Sequence, residues 1–308
     1  MTTSPPASAT PALPEPTPTQ SEQYSLTHGK LTVGDYLPKA SHDGKPGAGK
    51  CEWSSHVSVA LTSDEIGALA WVLIDSVMKA RFGPAVQLYD VWREHTLDGT
   101  TIPEPDRQTI GSFVKPVFGL PGADKKKSKD HLHGHIGEWL WHLLTKDNPT
   151  VRAQPAPKGD VTDSGGDGYT IYETANSELR FRLWESKKNT GKGSLSTSLN
   201  QAYGQLGEHG QTYVAKIVGA YAQASGEGAA ELNSFITEIP RAWTQGDVIV
   251  GAGVTLATHR PLPNKPFKKM AGKLPLLDKP GQLRGLATSI ECYEELADTV
   301  RRYAWTAL

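Results

Sequence analysis

Gly166-Asp167-Gly168-Tyr169, followed by Leu183-Trp184-Glu185-Ser186-Lys187, are the two stretches on which the fold turns. Residues 179–187 read as a strand, and side chains two apart on a strand project from one face. Glu185 and Lys187 therefore share a side. A carboxylate beside an ammonium suits phosphodiester hydrolysis. The acid holds a divalent metal, and the lysine polarises the attacking water or the scissile phosphate. Mg²⁺ wants several oxygen ligands, so a second carboxylate must come from a neighbouring strand. Asp167 is placed for that at the mouth of the strand expected over 169–174. Its flanking glycines let the backbone approach closely. The Ser186 carbonyl is a further candidate ligand, and Asp163 is a weaker substitute for Asp167. The plain alternative is a solvated ion pair on a surface strand.

Outward from this centre, residues 130–145 read as a helix with Ile136, Leu140, Leu143 and Leu144 on one stripe. Glu138, beside that stripe, is a third acid within reach of a sheet below. A helix over 195–208 carries Gln201, Tyr203 and Gln205. Gln201 and Gln205, with Lys188 and Lys192, are candidate DNA contacts. Strands are expected over 150–154, 169–174, 179–187 and 248–258, and further helices over 227–243 and 290–305. This alternation indicates an α/β sandwich. Nearer the N-terminus a strand is expected over 56–61. A helix opens at Ser63 with Ile66, Leu69, Val72, Leu73 and Val77 at helical spacing, and 85–95 and 106–118 follow as helical stretches.

Composition bounds the partners. The chain has 308 residues, with 32 Lys and Arg against 33 Asp and Glu, a formal charge of −1. Such a balance excludes binding to nucleic acid or membrane by overall positive charge, though not by a local patch. Local patches exist: Lys125, Lys126, Lys127 and Lys129 in the loop 121–129, and five lysines with Arg284 against Asp278 over 261–284. Their readings are phosphate contact or simple solubility. Six prolines in the first twenty residues suggest a disordered tail over 1–23. Two cysteines, Cys51 and Cys292, cannot make a disulfide framework. No run is long enough to span a membrane, and the first Lys or Arg is Lys30, so neither a span nor a signal peptide is expected. A cytoplasmic location follows as the expectation.

Two other patterns stand in the sequence. His131, His135, Glu138 and His142 are spaced to share a helix face, as a zinc site would need, but one straight helix cannot wrap four ligands around a tetrahedral ion. Gly44 to Lys50 matches the glycine and lysine positions of a phosphate-binding loop. Cys51 stands where that loop needs Ser or Thr, no apolar strand leads in, and no helix plainly follows. Trp139, Trp141 and Trp184 read as core or wall residues.

The order of Gly137-Glu138 on a helix, Gly166-Asp167-Gly168, the Glu185-x-Lys187 strand and a Gln-bearing helix resembles the PD-(D/E)xK nuclease superfamily. More narrowly it resembles the nuclease subunit of the Hachiman anti-phage defence system, over roughly 130–206. The resemblance implies a restriction-endonuclease-like core, a central mixed sheet flanked by helices, over 126–260. An N-terminal α/β accessory region would occupy 24–125, and a basic loop with a C-terminal helix 261–308. It implies Asp167 and Glu185 as ligands of Mg²⁺ or Mn²⁺, Lys187 as the catalytic lysine and Glu138 as a supporting acid. It also implies DNA as substrate and a helicase as partner. The His-rich helix start and the Pro-rich tail depart from that family's pattern. The competing expectations are a standalone restriction or repair nuclease, and a non-enzymatic binding module with a His-rich metal site.

Overall fold

The computed structural model describes residues 15–44, 47, 49–58, 60–120, 126–157, 166–224 and 230–308. Its ten helices and seven strands among these residues are, in order, α1 (Pro18–His28), α2 (Val33–Tyr36), β1 (Lys39–Asp43), β2 (Cys51–Ser58), α3 (Ser63–Phe82), α4 (Val86–Asp98), α5 (Asp106–Phe118), α6 (Lys126–Thr145), β3 (Val151–Ala153), β4 (Gly168–Glu173), β5 (Leu179–Asn189), α7 (Leu195–Ala224), α8 (Ala230–Gln245), β6 (Val250–Thr258), α9 (Met270–Lys273), β7 (Leu283–Ile290) and α10 (Tyr293–Trp305). The seven strands form one mixed sheet in the order β1-β2-β7-β6-β5-β4-β3. The β2–β7, β7–β6 and β6–β5 pairs are parallel, whereas β1–β2, β5–β4 and β4–β3 are antiparallel.

The chain is thus an α/β protein with its mixed sheet packed against helices on both faces. One core gathers the apolar stripes of α3, α5, α6 and α10 (Leu69, Leu73, Val114, Ile136, Leu296 and Val300 among them). The other holds Phe181, Leu183, Val254 and Leu256 of the sheet against Leu199, Leu206 and Ile239 of α7 and α8. β6 is buried at every position, as a central parallel strand covered on both faces should be. Gly253 on β6 leaves room for the Trp184 indole to lie across the sheet; a Cβ there would clash with the ring.

Several expectations shift. Of the segment 1–23 read as an unstructured tail, residues 1–14 lie outside the described residues, and residues 18–23 lie in α1, where Thr17 and Gln20 make a capping box. Tyr303 holds this segment, donating to the Pro16 carbonyl at 2.9 Å and meeting Ser21 Oγ at 2.7 Å. The cap of α3 is Thr62, one residue before the expected opening. The strand expected over 56–61 runs earlier, as β2. Of the phosphate-loop pattern, residues 45, 46 and 48 lie outside the described residues; β1 ends at Asp43 and pairs antiparallel with β2, which starts at Cys51, so strand rather than helix follows Lys50. α7 continues 16 residues beyond Glu208, to Ala224. The irregular reading of 261–284 ends at β7, which starts at Leu283 and sits between β2 and β6. Strands from 24–125, 126–260 and 261–308 therefore share one sheet. No helix among the described residues is long and apolar enough to cross a membrane.

Candidate active site at the edge of β5

The pairing of β4 with β5 starts at Gly168 opposite Trp184. Beyond that point the β5 edge has no β4 neighbour, and Asp167 occupies the vacated position. Its carboxylate accepts the Ser186 N–H at 2.5 Å, which binds the turn to the strand edge. Gly166 must be glycine here, because a Cβ would press on the Leu183 side chain and the Trp184 carbonyl. Glu185 is 3 % exposed and accepts from Lys187 Nζ at 2.6 Å. Between them on the opposite face, Ser186 Oγ accepts from Thr255 Oγ1 at 2.8 Å.

Glu138 enters from α6. Gly137 brings that helix close to the sheet; a Cβ there would sit 3.1 Å from Ala257 Cβ and 3.4 Å from the Tyr293 hydroxyl. The three acids then crowd one another. Burial and the Glu185 charge push Glu138 up to about 8, with Lys187 opposing. Burial and Glu138 push Asp167 up to about 7, against the Ser186 hydrogen bond and Lys187. Burial and Asp167 push Glu185 up to about 7, against Lys187 and His209. Desolvation and like charge both disfavour the ionised forms. One ammonium does not neutralise three carboxylates, so the donor set has room for a hard cation. Asp167 and Glu185 with the Ser186 carbonyl offer oxygen only, the chemistry Mg²⁺ or Mn²⁺ prefers, with water completing the shell. Among the described residues no group of three or more His, Cys, Asp or Glu forms a ready-made metal site.

The structure thus brings Asp167, Glu185, Lys187 and Glu138 together. Two residues that sequence reading missed join them from α7: His209, whose charge favours ionised Glu185, and Tyr213, whose ring flanks Gly166 and whose hydroxyl Glu185 and Asp167 push upward, behind burial. They continue the four-residue ladder of Gln201 and Gln205, a signal visible only if the helix runs past Glu208. Gln201 and Lys192 are exposed and Gln205 half-buried. Lys188 is held by Asp130 at 2.5 Å.

The histidines do not converge. His135 accepts from Trp139 Nε1 at 3.0 Å, His133 meets Thr190 Oγ1, and His142 packs edge-on to Trp139 and Trp141. Burial holds His135 and His142 down to about 3 and 4, the neutral state of packed rings. Among the loop lysines, Lys265, Lys268 and Lys269 line a cleft of about 410 Å³ with the first turns of α7. Asp163 and Lys125 lie outside the described residues, as do the side chains of Lys126 and Lys127. No protein-family model matches the chain, and no curated protein matches it significantly.

Proposed function

We propose that the chain is a metal-dependent DNA nuclease with a PD-(D/E)xK-type core. The observation that carries this reading is the meeting of Asp167, Glu185 and Lys187 at one unpaired stretch of strand edge, with Glu138 beside them. Asp167, Glu185 and the Ser186 carbonyl would hold Mg²⁺ or Mn²⁺. When bound, the ion supplies Lewis-acid polarisation of the scissile phosphate and lowers the pKa of attacking water. Lys187 stabilises negative charge as it develops on the phosphate, while its bond to Glu185 fixes its place. Ser186 N–H orients Asp167. Glu138, which keeps a proton near neutral pH, is positioned to exchange one with solvent. His209, Tyr213, Gln205 and Gln201 form the α7 flank along which a phosphate backbone would run.

The resemblance to the Hachiman nuclease subunit adds the effector role in a bacterial defence system, a helicase partner and a cytoplasmic setting. A near-neutral chain gains little from non-specific attraction to DNA, which suits delivery by a partner.

The test is nicking of supercoiled plasmid in Mg²⁺ or Mn²⁺, by the chain alone and with its helicase, paired with phage protection in cells. Lys187→Ala and Glu185→Gln should each lose activity by about 100-fold or more, as removal of a transition-state charge partner does. Wild-type rates and full protection in both variants would overturn the assignment.

A further inference from the structure

On the sheet face opposite Glu185 and Lys187, a cavity of about 140 Å³ opens between β2, β7, β5 and β4 below and the segment leaving α6 above. Arg182 and Arg284 line it with His56, Ser54, Thr170 and Asn148, and no Asp or Glu does. Arg182 is 5 % exposed. Its Nη2 donates to the Gly281 carbonyl at 2.7 Å and the Tyr172 hydroxyl at 2.9 Å, and its plane lies over the Tyr172 and Trp184 rings. Its Nε, fully buried, has no acceptor. Among the described residues Arg182 makes no ion pair. Glu52 stands 3.9 Å from Arg284 Nη1 and acts on Arg182 only electrostatically, without a bond to it.

A guanidinium taken out of water without a counter-charge is costly unless something else supplies it. Here a second guanidinium faces the same cavity, which raises the cost. Hydroxyl and amide groups around both are donors of the kind that complete an oxyanion's shell, and Arg presents a fork matched to phosphate. The volume is below the roughly 300 Å³ of sites that enclose a whole small molecule. Arg284, about half exposed, marks the mouth.

We propose that this cavity binds a phosphate group, held by Arg182 and Arg284. The inference is independent of the nuclease reading, since it uses none of those residues and lies across the sheet from Glu185 and Lys187. The phosphate comes either as the free anion or as the terminal phosphate of a nucleotide whose remainder stays outside.

Titration calorimetry and thermal shift of the full chain would test it, at ionic strength matched with chloride. The probes are inorganic phosphate, a nucleoside 5′-monophosphate and the same nucleoside without phosphate. Phosphate should bind with a Kd of about 1 mM or tighter. Arg284→Ala should weaken it about tenfold or more while the circular dichroism stays unchanged. Arg182→Lys, which keeps the charge and loses the fork, should weaken it likewise. Tighter binding of the monophosphate assigns a nucleotide end, and equal binding assigns the free anion. No heat and no thermal shift from either phosphate, or binding that ignores both substitutions, would overturn the proposal.

Discussion

Glu138, Asp167 and Glu185 are each more basic than an ordinary carboxylate, and this fixes the sign of the pH response. A carboxylate whose folded pKa is raised binds more protons folded than unfolded between the two values, so stability falls as pH rises through that window. The window here runs from the ordinary range near 4 up to about 7 for Asp167 and Glu185 and about 8 for Glu138. In chelator, melting temperature should therefore drop between pH 5 and pH 8. Glu138→Gln should recover on the order of 1 kcal/mol at pH 8 and almost nothing at pH 5. Adding Mg²⁺ or Mn²⁺ should raise the melting temperature more at pH 8 than at pH 5, since protons compete for the same oxygens. A metal effect absent at pH 8 would remove these carboxylates as a cation site. The proximity of these side chains was legible from residue order: the Glu-x-Lys spacing puts Lys187 against Glu185, and the glycine-flanked Asp167 meets the same strand at Ser186. What the linear order could not give was the mutual repulsion, because it depends on α6 approaching through Gly137.

At the scale of elements, side-chain size decides how closely layers meet. Gly253 faces the Trp184 indole, so Gly253→Ala should destabilise the fold by about 1–3 kcal/mol through overpacking. The cost should shrink when Trp184→Leu is present, a non-additivity measurable in a denaturant double-mutant cycle. Elements with strong apolar periodicity, such as α3 and α6, were readable in sequence because their buried stripes are unbroken. α7 was cut short at Glu208, since Gly204, Gly207 and Gly210 weaken a helical pattern whose buried contacts override propensity; Gly210 is there to accommodate Trp243. β7 was missed because Leu283 to Ile290 follows a Pro- and Lys-rich run. β1 was missed because Lys39 to Asp43 is exposed throughout and carries no alternation.

Across the whole molecule, the N-terminal and C-terminal segments are structural partners. α1 lies against α3 and is held by Tyr303, and Arg302 Nε reaches Glu15 at 3.1 Å. Gly67 of α3 allows this approach, with Pro16 and Ser21 packed where its Cβ would be. Deleting residues 1–28 should therefore lower the melting temperature by about 5 °C or more in calorimetry, the scale of a few kcal/mol in a chain this long. An unchanged melting temperature would show that α1 adds nothing to the fold. The Pro-rich composition hid this, because the docking residues Pro16, Pro18 and Ser21 look no different in sequence from the Pro, Ser and Thr residues that precede them.

The position of β7 between β2 and β6 has a consequence for synthesis. Residues 59–282 separate β2 from the strand that completes it. At roughly 5–20 residues per second, the ribosome needs about 10 to 45 s to deliver that partner. Through that interval the β1–β2 pair has no sheet to join, and from the emergence of β6 until β7 follows it the apolar edge of β6 stands open as well. Such an edge is a template for the wrong strand, so the nascent chain is a natural client for holding factors until Ile290 has emerged.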